Sequence, residues 1–233
     1  MSLKTAVILS GGLGTRLKPF TNAIPKPLLP IGEKAVLEIQ IERLAKAGFK
    51  RIILATNYKA DYIEKFFGDG SRYNVELIVS REEKPLGTAG PIKLLEKDLD
   101  EPFLVMNGDI LTLLEFDKMY EYAKSSDSIF IAGVKKMIMP FAFGNIFFDG
   151  DEITGVEEKP DIITYALAGI YVMKTEIFNY IPPNEYYGID QLIQKLLSEK
   201  IKVMKYEIKD YWLDIGRIDD YEKAQEEFKP FLD

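Results

Sequence analysis

Four features of this 233-residue chain have the residue types and spacing for chemistry. Gly11, Gly12 and Gly14 follow directly on the apolar run Thr5-Ala-Val-Ile-Leu9, with Thr15 and Arg16 behind them. A loop without Cβ atoms lets backbone N–H groups approach phosphate oxygens, and a guanidinium offers those oxygens a planar fork. Lys26 stands between Pro25 and Pro27, which fix the backbone around it and limit where its ammonium points. Asp109 closes Asn107-Gly108-Asp109 after the apolar Phe103–Met106, where a carboxylate faces the ligand crevice of an α/β sheet. Asp214 lies in Trp212-Leu213-Asp214-Ile215-Gly216, after another apolar stretch. Each feature alone also has a plainer reading: a tight strand-to-helix turn with a solvated arginine, or an aspartate that caps a helix or a turn. The glycine spacing fits neither the dinucleotide fingerprint nor a Gly-Lys-Ser/Thr loop.

Composition narrows the chemistry further. There are no cysteines and no histidines. Disulfides, thiolate metal sites, Cys nucleophiles, His-ligated zinc and every His relay are therefore excluded. The formal charge of −7 argues against nucleic acid as a partner. The first 30 residues run the other way, with Lys4, Arg16, Lys18 and Lys26 before the first acid at Glu33, which suits a local anion site. No apolar run approaches the roughly 18 residues of a membrane span, and the short apolar start lacks a cleavage site. The expected location is the cytoplasm, with no membrane partner.

The elements that must position these groups alternate through the first half. Thr5–Leu9, Arg51–Thr56, Val75–Val79 and Phe103–Met106 read as buried strands. Leu37, Ile41, Leu44 and Ala45 read as a helix face stopped by Gly48, with further helices over 60–67 and 89–99. Four such βα repeats predict a parallel sheet covered by helices. The second half is richer in strands: 128–134, 142–148, 153–156 and 167–173. Asp149-Gly150 forms a hairpin turn, a helical face runs over 189–197, a strand lies near Val203, and a last helix covers about 219–228. Asp219 with Glu222 reads as its capping box. The expectation is one α/β domain over 1–233, Rossmann-like and three-layered, with a mixed, mainly parallel sheet.

The full string over residues 9–30, including GGLGTRLKPFT and PKPLLP, resembles the sugar-1-phosphate nucleotidylyltransferases. LGTAGPI at 86–92, NGD at 107–109, VEEKP at 156–160, LAGIYVM at 167–173 and WLDIG at 212–216 follow in family order. The resemblance covers nearly the whole chain but lacks the C-terminal β-helix of many members. It implies attack of a sugar-1-phosphate on an NTP, giving NDP-sugar and pyrophosphate. It also implies a nucleotide-binding half over about 1–125 and a sugar-binding half over about 126–233. The attacking phosphate is already anionic, so no general base is required, and a histidine-free chain is compatible.

By resemblance, Asp109 and Asp214 hold Mg²⁺, Arg16 holds the departing phosphates, and Lys26 bridges phosphates around the reacting phosphorus. Leu9, Gly11, Gly12, Gly14, Thr15, Gly87 and Thr88 surround the nucleotide, the 86–90 loop opening a helix whose N-terminus is partly positive. Ser80 and Arg81 are weaker candidates for reading the base. Glu158 is implied at the sugar hydroxyls and Lys159 at the sugar phosphate, with Gly144 and Gly169 lining the sugar pocket. Without the family, Glu158 and Lys159 read as a solvated charge run, and the two glycines as strand bulges. Asp149-Gly150-Asp151 spells the DxD of metal-dependent glycosyltransferases, but its setting reads as a solvated hairpin. Resemblance ranks GTP first, with mannose-1-phosphate or heptose-1-phosphate as acceptor. Thymidylyl or uridylyl transfer to glucose-1-phosphate is the alternative, and a non-catalytic NDP-sugar-binding regulator is another. Whether the chain forms a homo-oligomer stays open.

Overall fold

The computed structural model describes residues 3–12, 14–57, 60–100 and 102–232. Strand β1 (Thr5–Leu9) is followed by helix α1 (Phe20–Ala23), the small hairpin of β2 (Pro30–Ile31) and β3 (Lys34–Ala35), and helix α2 (Val36–Lys46). Then come β4 (Arg51–Thr56), α3 (Ala60–Phe67), β5 (Glu76–Arg81), α4 (Gly90–Lys93) and β6 (Phe103–Asn107). The second half runs β7 (Ile110–Thr112), α5 (Phe116–Ser125), β8 (Phe130–Pro140), β9 (Gly144–Asp149), β10 (Glu152–Glu158) and β11 (Asp161–Met173). It ends with α6 (Ile189–Ser198), β12 (Val203–Glu207), β13 (Trp212–Asp214) and α7 (Ile218–Glu227).

Seven strands form one sheet in the order β12-β8-β11-β6-β1-β4-β5. β6, β1, β4 and β5 are parallel. β11 enters antiparallel between β6 and β8, and β12 runs parallel to β8. The sheet is mixed and mainly parallel, and it draws strands from both halves of the chain.

Successive strand residues point to opposite faces, and helices cover both. On one face Ala6, Ile8, Ile52 and Leu104 meet Leu37, Ile41 and Leu44 of α2, Ile63 of α3 and Met119 of α5. On the other, Val7, Ile53, Val105 and Met173 meet Ile92 of α4 and Leu192 and Leu196 of α6. Leu37, Ile41 and Leu44 are fully buried. At roughly 1.5–3 kcal/mol for each such side chain, packing holds α2 to the sheet far more firmly than helix propensity does. A third cluster, including Leu17, Ile31, Leu111, Ile215 and Phe228, ties the β2–β3 hairpin and the β7–β13 ribbon to α7.

Some boundaries differ from the pattern-based expectation. The helix expected over 89–99 is a single turn, α4; beyond Lys93 the chain closes in tighter turns, with Leu95 N–H donating to Ile92 O and Asp98 N–H to Leu95 O. Helix α5 was not read from the sequence, although Phe116, Met119, Tyr120 and Ala123 lie buried at helical spacing along it. The cap of α7 sits two residues earlier than expected: Asp220 Oδ2 accepts from Arg217 N–H at 2.9 Å, closing the first turn in place of Asp219 and Glu222. Asp149-Gly150-Asp151 is the exposed turn between β9 and β10, with Gly150 at φ 57°.

Two strands outrun the sheet. β8 loses its partner β12 after Val134, and β11 meets β6 only from Ile170 onward. Between them Lys135–Pro140 and Asp161–Ala166 pair only with each other, in a two-stranded ribbon that carries the β9–β10 hairpin.

Candidate active site

The carboxyl ends of β1, β4, β5 and β6 open into one cleft of about 450 Å³, where ligands of open α/β sheets bind. Leu9, Gly11, Gly12, Gly14, Thr15, Arg16, Lys26, Gly87, Thr88 and Asp109 all line it. Leu13 of the same glycine loop lies outside the described residues.

The cleft floor is set by close backbone packing. Ser10 N–H donates to Ala55 O at 2.7 Å, and Gly108 N–H donates to Leu9 O at 2.9 Å. A Cβ on Gly108 would sit 2.9 Å from Leu9 O and from Ser10 Oγ, so only glycine lets the Asn107–Asp109 turn cross β1 so closely. Buried Gln40 reaches up from α2, its Nε2 donating to Asn107 O at 3.1 Å and Ile110 O at 2.7 Å. That side chain holds both ends of the turn that presents Asp109. On the opposite wall Gly14 adopts φ 62°, and Thr21 Oγ1 donates to its carbonyl at 2.8 Å. This bond fixes the turn that aims Thr15 and Arg16 inward.

Four charged groups converge at the cleft mouth. Lys26 Nζ donates to Asp109 Oδ2. Asp109 Oδ1 is buried with no hydrogen-bond partner among the described residues. Asp214 is brought beside it because β13 pairs with β7, placing Asp214 opposite Ile110, and Ile215 N–H donates to Asp109 O at 2.9 Å. Burial pushes the Asp214 carboxyl above its ordinary range; neighbouring Asp109 pushes the same way, while Lys26 and Arg16 oppose the shift. Arg16 Nη1 lies 3.6 Å from where a Cβ on Gly216 would stand. An orphaned carboxylate oxygen next to a second, crowded carboxylate is a donor set for a hard divalent cation. Such an ion takes one or two carboxylates and completes its shell with phosphate oxygens and water. Among the described residues no group of three or more acidic side chains surrounds a point, so the other ligands would come from substrate and solvent.

At the far end, Glu82 lines the cleft just past the end of β5. Its Oε2 accepts from Leu86 N–H at 3.0 Å, and its Oε1 lies 3.1 Å from a Cβ position on Gly11. Burial raises its carboxyl above the usual range, and the Leu86 bond offsets part of that. Glu82, Asn57 and Tyr186 are cleft residues that the sequence reading missed. The signal for Glu82 was its position immediately beyond a strand end. Ser80 does not line the cleft, and Arg81 turns away to Asp61 at 2.7 Å and to Glu64.

The 86–90 loop is clamped to the segment before α6. Ala89 N–H donates to Tyr187 O at 2.8 Å, Tyr187 N–H to Leu86 O at 2.9 Å, and Ile189 N–H to Thr88 Oγ1 at 2.9 Å. The loop opens only the single turn of α4, so it lacks the helix dipole expected from the sequence. Gly87 has φ 80°, and a Cβ there would meet Tyr187 O at 2.6 Å. Gly87→Ala combines a left-handed alanine, at roughly 1–2 kcal/mol, with that overlap. The expected outcome is a Tm lower by several degrees and weaker nucleotide binding, read by thermal melts with and without nucleotide.

The sugar-side candidates divide. Gly169, at φ 67°, sits where the β8–β11 register shifts, and a Cβ there would lie 2.7 Å from Asn107 Nδ2, at the cleft edge. Gly144 and Glu158 pair across β9 and β10, and Lys159 follows at φ 50° with its Nζ 4.0 Å from Glu158 Oε1. These three residues are exposed on the hairpin and do not line the cleft. The structure thus gathers the glycine loop, Arg16, Lys26 and Asp109 around one cleft and leaves Glu158 and Lys159 apart from it.

A family model described as nucleotidyl transferase matches residues 5–229. The chain is 32% identical to the mannose-1-phosphate guanylyltransferase catalytic subunit beta of Danio rerio, over 93% of its own length and 62% of that protein's. It is 33% identical to the mannose-1-phosphate guanyltransferase of Debaryomyces hansenii, over 92% of its own length and again 62% of the relative's. The chain thus spans about three-fifths of the length of these relatives. Among solved structures, HddC from Yersinia pseudotuberculosis superposes with a TM-score of 0.76 at 31% identity, covering 97% of this chain and all of HddC. HddC has also been solved in complex with GMP-PN. A Bacillus anthracis protein crystallised with sucrose shares the fold, with a TM-score of 0.79 at 23% identity and coverage of 96% and 94%.

Proposed function

The chain belongs to the nucleotidyl transferase family, and from that premise we propose that it transfers guanylyl from GTP to a sugar-1-phosphate, releasing pyrophosphate. Mannose-1-phosphate and heptose-1-phosphate are the first-ranked acceptors. The observation that carries this reading is the convergence of Lys26, Arg16, Asp109 and Asp214 at the mouth of a glycine-lined cleft.

In the reaction a phosphate oxygen of the sugar-1-phosphate bonds to the α-phosphorus. The bond from that phosphorus to the bridging oxygen breaks, and pyrophosphate leaves with the electron pair. The nucleophile arrives ionised, so the protein's work is placement and charge. The glycine loop presents N–H groups to the phosphates. Lys26 spans the oxygens around the α-phosphorus, and Arg16 takes up charge on the departing pyrophosphate. Asp109 and Asp214 would hold a divalent cation, Mg²⁺ first, which when bound neutralises phosphate oxygens. Residues 1 to about 125 would then form the nucleotide half and about 126 to 233 the sugar half, with Gly169 at the cleft edge nearest the sugar; Gly144, Glu158 and Lys159 stand on the hairpin outside the cleft and would reach the sugar only if that hairpin moved toward it. No helix of the described residues is long and apolar enough to cross a membrane, which suits the cytoplasm as the place of action.

Glu82 favours GTP over other nucleotides. Guanine alone presents N1–H and the exocyclic N2–H₂ side by side, and a carboxylate accepts both. Uracil and thymine offer one N–H flanked by carbonyls, which a carboxylate repels. In a pyrophosphate-release panel of four NTPs against several sugar-1-phosphates, GTP with mannose- or heptose-1-phosphate is expected to dominate. Glu82→Gln should lower kcat/KM for GTP about 10–100-fold, the effect of mispairing one or two buried hydrogen bonds. The folded-state pKa of Glu82 is raised, so its ionised form opposes folding at neutral pH and that opposition fades as pH falls through the raised value. Glu82→Gln is therefore expected to keep or raise Tm at pH 7. Preference for UTP or dTTP in the wild type would overturn the guanylyl assignment.

A further inference from the structure

The reaction as derived leaves one large ring of the cleft without a task. Tyr186 lines the cleft and is 70% exposed. Among the described residues no ring stacks on its side chain and no hydrogen bond holds its hydroxyl. A mostly wet aromatic ring on the wall of a ligand cleft offers its face to a second flat group.

The backbone on both sides of Tyr186 is fixed to the 86–90 loop. Just before it, a Cβ on Gly90 would stand 2.8 Å from Glu185 O, so only glycine lets the two segments touch there. Just after it, Tyr187 O accepts from Ala89 N–H at 2.8 Å and from Gly90 N–H at 3.1 Å, and Tyr187 N–H donates to Leu86 O at 2.9 Å. Further on, Gly188 N–H donates to Gln191 Oε1 at 2.7 Å and Ile189 N–H to Thr88 Oγ1 at 2.9 Å. The two neighbouring tyrosines then part. Tyr187 packs against the core that includes Ile92 and Leu192, and its hydroxyl donates to Gln191 O at 3.3 Å. Tyr186 is left on the cleft side. By sequence it belongs to the second half of the chain, but by contact it belongs to the loop expected to hold the nucleotide. Glu82 is tied to that same loop, since its Oε2 accepts from Leu86 N–H at 3.0 Å.

We propose that Tyr186 is the platform on which the base of the nucleotide stacks, its ring against the face of the base while Glu82 meets the edge. This rests on the reading that the cleft takes an NTP. The two contacts do different work. A carboxylate in the plane of the base tells one pattern of N–H groups from another. A ring on the face does not, because every base has a π-face. Tyr186 therefore supplies affinity and Glu82 supplies choice. An aromatic ring can also take up the C–H face of a sugar, but the contacts of this segment favour the base. Gly169, the sugar-side glycine at the cleft edge, packs on Asn107, whereas the segment of Tyr186 packs on Leu86, Gly87 and Gly90.

Calorimetric titration of the full chain with GTP, ATP and UTP, each with Mg²⁺ and without sugar phosphate, tests this. Tyr186→Ala is expected to weaken all three alike, by about 10–100-fold. Tyr186→Phe should bind within about twofold of wild type, because the ring and not the hydroxyl makes the contact. Glu82→Gln should instead cost GTP more than ATP or UTP. Thermal melts of both Tyr186 variants should stay within about 2 °C of wild type, since the ring stands in solvent. The chain has a single tryptophan, Trp212, which allows an optical measurement. Emission of Tyr186→Trp should fall by about half as GTP saturates, beyond any change that Trp212 shows in the wild type. GTP affinity of Tyr186→Ala within about twofold of wild type overturns the proposal. So does an unquenched Tyr186→Trp, or a loss confined to the KM for sugar phosphate, which would put the ring on the sugar. A wild type that binds none of the three nucleotides overturns both this proposal and nucleotidyl transfer. Preference for UTP with the Tyr186→Ala loss intact overturns the guanylyl assignment alone.

Discussion

Asp109→Asn is expected to lower kcat about 1,000-fold or more while the fold stays intact, the scale on which groups that stabilise transition-state charge act. The side chain is held by its turn: Gln40 fixes both flanks, and Gly108 lets the turn pass close to β1. Asparagine fits the same space, but it removes the carboxylate charge, puts an NH₂ donor in place of one of the two oxygens, and leaves Lys26 at most a neutral hydrogen bond in place of its ion pair. Asp214→Asn should have a comparable effect on rate. Its stability effect has a definite sign, because burial and Asp109 already disfavour the Asp214 anion. A neutral residue there should leave Tm unchanged or higher. The measurement is pyrophosphate release at saturating GTP over a titration of divalent cation, beside thermal melts. Activity within threefold of wild type for either variant removes that residue from the site.

Lys26→Ala and Arg16→Ala are expected to lower kcat by about 100–1,000-fold, with the KM for the sugar phosphate within about threefold. In the proposed reaction both cations act as charge moves onto the leaving pyrophosphate, after substrate has bound. Lys26 sits between two prolines and is anchored on Asp109, so lysine's usual mobility is already restricted before substrate arrives. Guanidine added to Arg16→Ala should restore part of the rate, because Arg16 faces an open cleft rather than packed core. A rise in KM with kcat unchanged would contradict both roles.

Much of the fold was legible because buried parallel strands leave a plain trace. Thr5–Leu9 and Arg51–Thr56 are short apolar runs that end at loops, and the structure gives both ranges as read. The glycine loop, Lys26 and Asp109 were legible for a related reason, since each follows a strand end or a proline clamp. The partnership of Asp109 with Asp214 was not visible in local pattern. It arises from pairing between β7 and β13, roughly a hundred residues apart, and only family resemblance joined the two in advance. The outer ribbon was read too short because Met137–Pro140 and Asp161–Thr164 do not alternate polar with apolar. Both faces carry hydrophobic residues, so the period of two is lost. Glu82 went unread because one carboxylate in a charged string looks like any other until the cleft closes over it.

The placement of β11 governs how the chain can reach this fold during synthesis. The four strands β1, β4, β5 and β6 can assemble as soon as Asn107 is available, with one edge of β6 bare. That edge is covered only when Ile170–Met173 arrives to pair with it. At about 5–20 residues per second, the roughly 65 residues between them take some 3–13 s to make. For that interval a nascent chain offers an uncapped parallel sheet, while the ribbon's own hydrophobic residues emerge beside it. Folding on the ribosome is therefore gated by the arrival of a distant strand. A chain truncated before residue 170 should bind holdase chaperones and aggregate, although it contains the whole glycine loop and Asp109.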